Sequence, residues 1–232
     1  MRKLLQKNLD RKVLQKILGD YYHLFKNKSL KSLGVYHSEE LGYYIQAKGK
    51  NDSILESNIG QKGDETICFI IGCIGYWSYF TQKDSSNSDL YYRVKIEVSK
   101  NREILLQVIK VVLPSLYKKF MLVNERNRQK GKGEKKESEP ILFLHELIYA
   151  LYNQIDVKDK TIDMYKPQKE RRVNIDHKDG NPANNNPRNL RWVTHKENAG
   201  NRHDSSVTKQ LMKQRLIKRT NDPLFVQLSL LA

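Results

Sequence analysis

Residues 173 to 202 read VNIDHKDGNPANNNPRNLRWVTHKENAGNR, and this stretch restricts the fold more than any other part of the chain. Val173, Asn174 and Ile175 form a short strand that delivers Asp176 and His177 side by side. Neighbours on a strand point to opposite faces, so the strand must end or bend there if the two are to serve one site. The run Lys178-Asp179-Gly180-Asn181-Pro182 supplies that turn chemistry. Leu190 to Val193 returns as a second strand. Thr194 fits a helix N-cap, and Glu197 three residues later completes a capping box. Asn198 then falls in the first turn of that helix, where it faces back at the hairpin and converges with Asp176.

Carboxylate and amide oxygens are hard ligands that suit Mg²⁺ or Mn²⁺, ions that keep several waters and take phosphate oxygens as their remaining ligands. A neutral His177 beside such an ion could take a proton from water, since its unperturbed pKa of about 6.5 suits neutral pH. Arg191, Lys196 and Arg202 lie near enough in sequence to offer phosphate contacts. His195 is either a further functional group or an incidental exposed residue of the helix start. His145 reads as a packing or backbone-bonding histidine, and Trp192 as core.

The chain has 232 residues with 42 Lys and Arg against 26 Asp and Glu, a formal net charge of +16. Such an excess favours polyanionic partners. No apolar run approaches the roughly 18 to 20 residues of a spanning helix. The start, MRKLLQKNLDRK, lacks the apolar core and small-residue cleavage site of a signal peptide. Cys68 and Cys73 are the two cysteines, set in the apolar segment TICFIIGCIGYW, and read as buried thiols. Two cysteines without neighbouring histidines cannot close a four-ligand site, so no structural zinc is expected. The expected setting is a reducing one, cytoplasmic or organellar rather than secreted.

The expected fold class is α/β in the broad α+β sense. Lys3 to Phe25 carries an apolar stripe at steps of three and four, an amphipathic helix; its basic face either touches phosphates or is simply solvated. Ser29 to Asp64 has a weak pattern punctuated by glycines, read as loops with some short strands. An apolar segment, Ile67 to Phe80, leads through a polar loop into YYRVKIEVS, which alternates like a half-buried strand. A helix follows, with Asn101 as cap and Glu103 in its first turn, until Pro114 ends or kinks it. Asn124 to Glu139 contains no apolar residue and reads as a charged linker or loop. PILFLHELIYALYN reads as a strand entering a short helix. The expected organisation is an N-terminal domain over 1–123, a linker over 124–139, a second domain over 140–205 that holds the metal-site stretch, and a basic tail over 206–232.

The metal-site stretch resembles the HNH endonuclease family, whose ββα-metal fold is a hairpin followed by a helix. The resemblance covers residues 141 to 202. IDHKDGNP (residues 175 to 182) is similar to the family's first strand and turn, and PRNLRWVT (residues 187 to 194) to its middle portion. The resemblance implies that His177 is the general base and Asp176 a metal ligand. It also implies that Asn189 holds the base histidine and the loop by hydrogen bonds, and that Asn198, in HKEN, is the second metal ligand. Aspartate and asparagine as ligands resemble the homing-endonuclease branch. LHELI (residues 144 to 148) resembles the lead-in of phage and intron versions.

A second segment, Ile70 to Leu113, resembles a degenerate LAGLIDADG homing-endonuclease repeat, in which Gly75 and Trp77 stand where metal-binding acids would be expected. That resemblance would leave cutting to the HNH part and make the strand YYRVKIEVS a DNA-reading surface, since a β-ribbon fits the major groove. The two resemblances together imply a metal-dependent, site-specific endonuclease on double-stranded DNA, producing 5′-phosphate and 3′-hydroxyl ends. A restriction enzyme, a non-cutting DNA-binding protein and a nonspecific nuclease toxin are the alternatives. With one active site per chain, cutting both strands requires a homodimer or two successive acts.

Overall fold

The computed structural model describes residues 9–48, 54–75, 77–81, 90–94, 102–138, 140–155 and 173–194. The Asn101 cap, the loop 82–89, residues 95–100 of the alternating strand, residues 195–197 of the capping box and the basic tail fall outside them. The architecture is mixed α+β, built around one fully buried helix, residues 65–74.

The N-terminal helix is shorter than its apolar stripe suggests. Asp10 caps α1 (Arg11–Leu18) by accepting from the backbone N–H groups of Lys12 and Val13. Gly19, at φ 55°, closes it, and a 3₁₀ turn leads into the short α2 (Tyr22–Phe25). The stripe continues past Gly19 because both pieces pack on one core, although no single helix spans them.

The glycine-punctuated region, read as loops with some short strands, holds three strands. β1 (Val35–Ser38), β2 (Gly42–Lys48) and β3 (Ile54–Gly60) form an antiparallel meander centred on β2. Tyr43, Ile45 and Ala47 are buried while Gln46 is exposed, the alternation of a sheet with one covered face. On β3 the inward positions are Ser57 and Ile59. β4 (Trp77–Thr81) joins β2 in parallel, β5 (Leu90–Val94) pairs with β4, and β6 (Leu142–Phe143) completes the sheet beside β5.

Every residue of α3 (Glu65–Ile74) is buried. Ile67, Phe69, Ile70, Ile71 and Ile74 each contribute about 1.5–3 kcal/mol of burial, and a helix apolar all round belongs inside a core. Cys68 and Cys73 lie on it as buried free thiols, and burial pushes both above the ordinary thiol range. Around it pack α1, α4 (Arg102–Val112) and α6 (Leu144–Ile155). Pro114 separates two helices and occupies the first turn of α5 (Pro114–Gln129), where its missing N–H costs nothing.

The charged segment 124–139 divides in two. Its first residues continue α5 to Gln129, because Glu, Arg and Gln are good helix formers without needing a buried face. The rest folds back: Asn127 bonds the backbone N–H and C=O of Glu137, whose carboxylate faces Arg126 and Lys130. One apolar cluster runs from Leu14 to Leu190 across this segment. α6 is the joint: it touches β5, β6, α3 and α4, and also the hairpin of β7 (Val173–His177) and β8 (Leu190–Thr194). Among the described residues no helix is long and apolar enough to cross a membrane.

The closeness of α3 to the chain before β1 depends on Gly72. A β-carbon there would stand 2.8 Å from Leu33 Cβ and 3.0 Å from Val35 Cγ2. Gly72→Ala is therefore expected to destabilise the chain by about 1–3 kcal/mol, seen as a lower urea midpoint at unchanged m-value. An unchanged or raised midpoint would contradict this packing.

Candidate active site

β7 and β8 pair antiparallel, with Ile175 opposite Trp192, Asp176 opposite Arg191 and His177 opposite Leu190. Between them the chain is wired by side-chain amides. Gly180, at φ 67°, donates its N–H to His177 O in the turn that ends β7. Asp179 accepts from Asn181 N and Asn184 Nδ2, and Asn186 accepts from Arg188 N ahead of the 3₁₀ turn Pro187–Asn189. Asn189 closes the loop: its Nδ2 donates to Asp179 Oδ1 and Asn184 O, its Oδ1 accepts from Asp179 N, and its carbonyl accepts from Lys178 N.

The strand runs straight through His177, contrary to the expectation that it ends or bends after Ile175. Asp176 and His177 therefore take opposite faces of the hairpin. His177, 5% exposed, shares the inner face with Ile175, Leu190 and Trp192 against α6. Its ring stands edge-on to His145 at 5.1 Å, and His145 stacks on Phe143 at 5.5 Å. His177 Nε2 lies 3.0 Å from Asn185 Oδ1. Burial pushes its pKa below the ordinary imidazole value, opposed by the Asn185 hydrogen bond and by the carboxylates of Asp179 and Asp176. Burial holds His145 well below that value too, with His177 adding to the effect. Both rings are neutral at neutral pH. His145 has the packing role expected of it, and Trp192 is half-buried beside Tyr149.

Asp176 lies on the other face with Arg191, whose Nε and Nη2 both donate to Asp176 Oδ2, at 3.1 and 2.8 Å. Arg191 is expected to contact phosphate; in the structure its guanidinium first orients the Asp176 carboxylate, with three of its five N–H donors beyond that pair. Both bonds fall on Asp176 Oδ2, and a carboxylate oxygen such as Oδ1 is a hard donor of the kind that Mg²⁺ or Mn²⁺ takes. Asn198, the other expected ligand, lies outside the described residues, as do Lys196, Arg202 and His195. Among the described residues no group of three or more His, Cys, Asp or Glu is arranged to hold a metal.

Sequence reasoning missed the residues that seat the hairpin. Asn58 N donates to Ala183 O and Asn58 O accepts from Asn185 N, both at 3.0 Å, so the loop lies parallel to β3 for one bridge. Asn185 Nδ2 donates to Ser57 Oγ at 2.6 Å. Arg188 reaches Asp64, whose side chain is fully buried, at 2.5 Å, with its guanidinium over the Tyr152 ring. The available signals were faint: a triplet of asparagines between two strands, and a serine at an inward position of β3.

Residues 167–200 match the family model described as HNH endonuclease. That span holds Asp176, His177, Asn189, Arg191, Lys196 and Asn198; Arg202 lies just beyond it. No curated protein and no solved structure matches the chain. A segment of the chain is thus similar to HNH endonucleases, which suggests nuclease activity on DNA.

The buried neutral histidines make stability depend on pH. The unfolded chain protonates His145 near its ordinary pKa of about 6.5, while the folded chain resists until well below it. The unfolded state thus binds more protons in that window, and stability falls as pH drops below about 6.5, by up to about 1.4 kcal/mol per pH unit for each fully resisted proton. Urea midpoints between about pH 7.5 and 5.5 should show this fall, and His145→Phe should flatten part of it. A midpoint that rises on acidification would contradict a neutral buried pair.

Proposed function

We propose that this chain, through its HNH endonuclease segment, is a metal-dependent DNA endonuclease that hydrolyses phosphodiester bonds to 5′-phosphate and 3′-hydroxyl ends. The observation that carries the reading is His177: a neutral, buried imidazole at the end of β7, inside the matched segment and adjacent to Asp176. In this reading His177 takes the proton of the attacking water, which requires the end of β7 to open from the straight strand seen here so that His177 and Asp176 reach one site. Asp176 and Asn198 hold Mg²⁺ or Mn²⁺, and Arg191 keeps the Asp176 carboxylate oriented for it. A bound cation supplies charge neutralisation at the scissile phosphate and the departing 3′ oxygen. Lys196, Arg202 and the outer N–H groups of Arg191 receive neighbouring phosphates, and Asn189 keeps the loop in shape.

The surplus of basic residues brings the site to a polyanion, with an affinity that falls steeply with salt. We assign DNA recognition to the N-terminal part, roughly 1–123, whose segment 70–113 resembles a degenerate LAGLIDADG repeat, and cutting to residues 140–205. A recognition part of that size favours site-specific cutting of the homing or mobile-element type. A homodimer, or two successive acts, serves double-strand cleavage.

Supercoiled plasmid incubated with the full chain and Mg²⁺ should give discrete nicked or linear product. The product should disappear in EDTA and fall by at least about 10²-fold in His177→Ala, with DNA affinity retained. Tight binding with no cleavage in Mg²⁺ or Mn²⁺ would overturn the enzyme reading in favour of a non-cutting binder. A smear of fragments would overturn site specificity.

A further inference from the structure

Behind His177 runs a chain of buried hydrogen bonds that leaves the hairpin and ends in the N-terminal sheet. His177 Nε2 meets Asn185 Oδ1 at 3.0 Å, Asn185 Nδ2 meets Ser57 Oγ at 2.6 Å, and Ser57 Oγ meets Ala183 O at 3.1 Å. All three side chains are buried: Ser57 at 0%, Asn185 at 1% and His177 at 5% exposure. No water is needed to complete the chain.

Its direction follows from the far end. Ala183 O is a backbone carbonyl and only accepts, as is Asn58 O, the other acceptor near Ser57 Oγ at 3.3 Å. The single hydroxyl hydrogen of Ser57 therefore points at a carbonyl, and its lone pair faces Asn185. The Asn185 atom facing it must be the NH₂, which also donates to Pro182 O at 3.3 Å. Asn185 then presents its Oδ1 to His177, and an oxygen facing a neutral imidazole requires N–H at Nε2. The lone pair of the ring is placed on Nδ1.

We infer that Ser57, on β3 of the N-terminal sheet, is a positioning residue for His177: acting through Asn185, it fixes the Nε2–H tautomer and so assigns proton acceptance to Nδ1. The inference rests on the proposed nuclease reading for its catalytic consequence but not for the tautomer itself. Ser57 lies more than a hundred residues from His177 in sequence, and Ala183 O is held in turn by Asn58 N, the next residue on the same strand. The sheet assigned to recognition thereby supplies part of the general base's support, an outer hydrogen bond of the kind whose loss costs about 10- to 100-fold in activity.

The test is nitrogen NMR of the imidazoles in the full chain, metal-free and at neutral pH, with His177 assigned by its loss in His177→Gln. Wild type should show one His177 tautomer, protonated at Nε2. Ser57→Ala should show mixed tautomers and a kcat for plasmid cleavage lower by on the order of 10-fold, with the Kd for DNA unchanged. Ser57→Cys, which keeps the side chain's shape and weakens its hydrogen bonds, gives the same comparison if the alanine variant fails to fold. An Nδ1–H tautomer in wild type, or folded variants that keep a single Nε2–H tautomer and wild-type kcat, would overturn the inference. Wild type that cuts no DNA while the NMR follows the expected pattern would sink the nuclease reading and leave the positioning role standing.

Discussion

The pairing of Asn58 with the loop after β7 is the contact on which the candidate site depends. A two-stranded hairpin is marginal by itself, and β7 and β8 have no third strand among the described residues. What they have is a dock. Asn58 satisfies Ala183 O and Asn185 N with its own backbone, Arg188 reaches the buried Asp64 at the N-terminal end of α3, and α6 covers the inner face. Each hydrogen bond is worth only about 1 kcal/mol net, but leaving a buried partner unpaired costs about 1–3 kcal/mol. The arrangement therefore holds or fails largely as a unit.

The loop resolves a second tension. A histidine proposed as general base needs a fixed orientation, yet the loop that follows His177 is mostly polar and cannot be held by apolar packing alone. Asp179, Asn181, Asn184, Asn186 and Asn189 replace packing with side-chain hydrogen bonds to nearby backbone, which fix the turn geometry at small volume. Of the triplet it is Asn185 whose side chain joins the loop to the sheet, meeting both His177 and Ser57. Asp176 and His177 are thus held by separate means on opposite faces, one by the Arg191 ion pair and one by the asparagine–serine chain.

Much of the fold was legible where a local rule dominates. Pro114 marked the break between two helices, Leu142 to Ile155 the strand entering a helix, and Gly180 the turn of the hairpin. The misreadings share a cause, the override of local signals by tertiary contacts. The strands expected between Ser29 and Asp64 had no bounds because the glycines mask an alternation that shows only once α3 covers one face. Gly19 splits an apolar stripe that the core still uses on both sides. The charged segment after Asn124 looked like linker because it lacks apolar residues, although its helix needs none. At the site, the hairpin and its turn were legible from the motif, whereas the partners of Arg191, Asn185 and Arg188 were not. The last two involve Ser57 and Asp64, and no periodicity links residues so far apart in sequence.

Through Asn58, we infer, the hairpin and the N-terminal sheet form one cooperative unit. Native-state hydrogen exchange tests it most directly, comparing the amides of Asn185 and Asn58 with those of Ile70 and Ile71 in α3. If the dock is integral, all four exchange only through the same global opening and respond alike to low concentrations of denaturant. Exchange of Asn185 several orders of magnitude faster than that of the α3 amides, insensitive to denaturant, would show the hairpin opening independently and contradict the account.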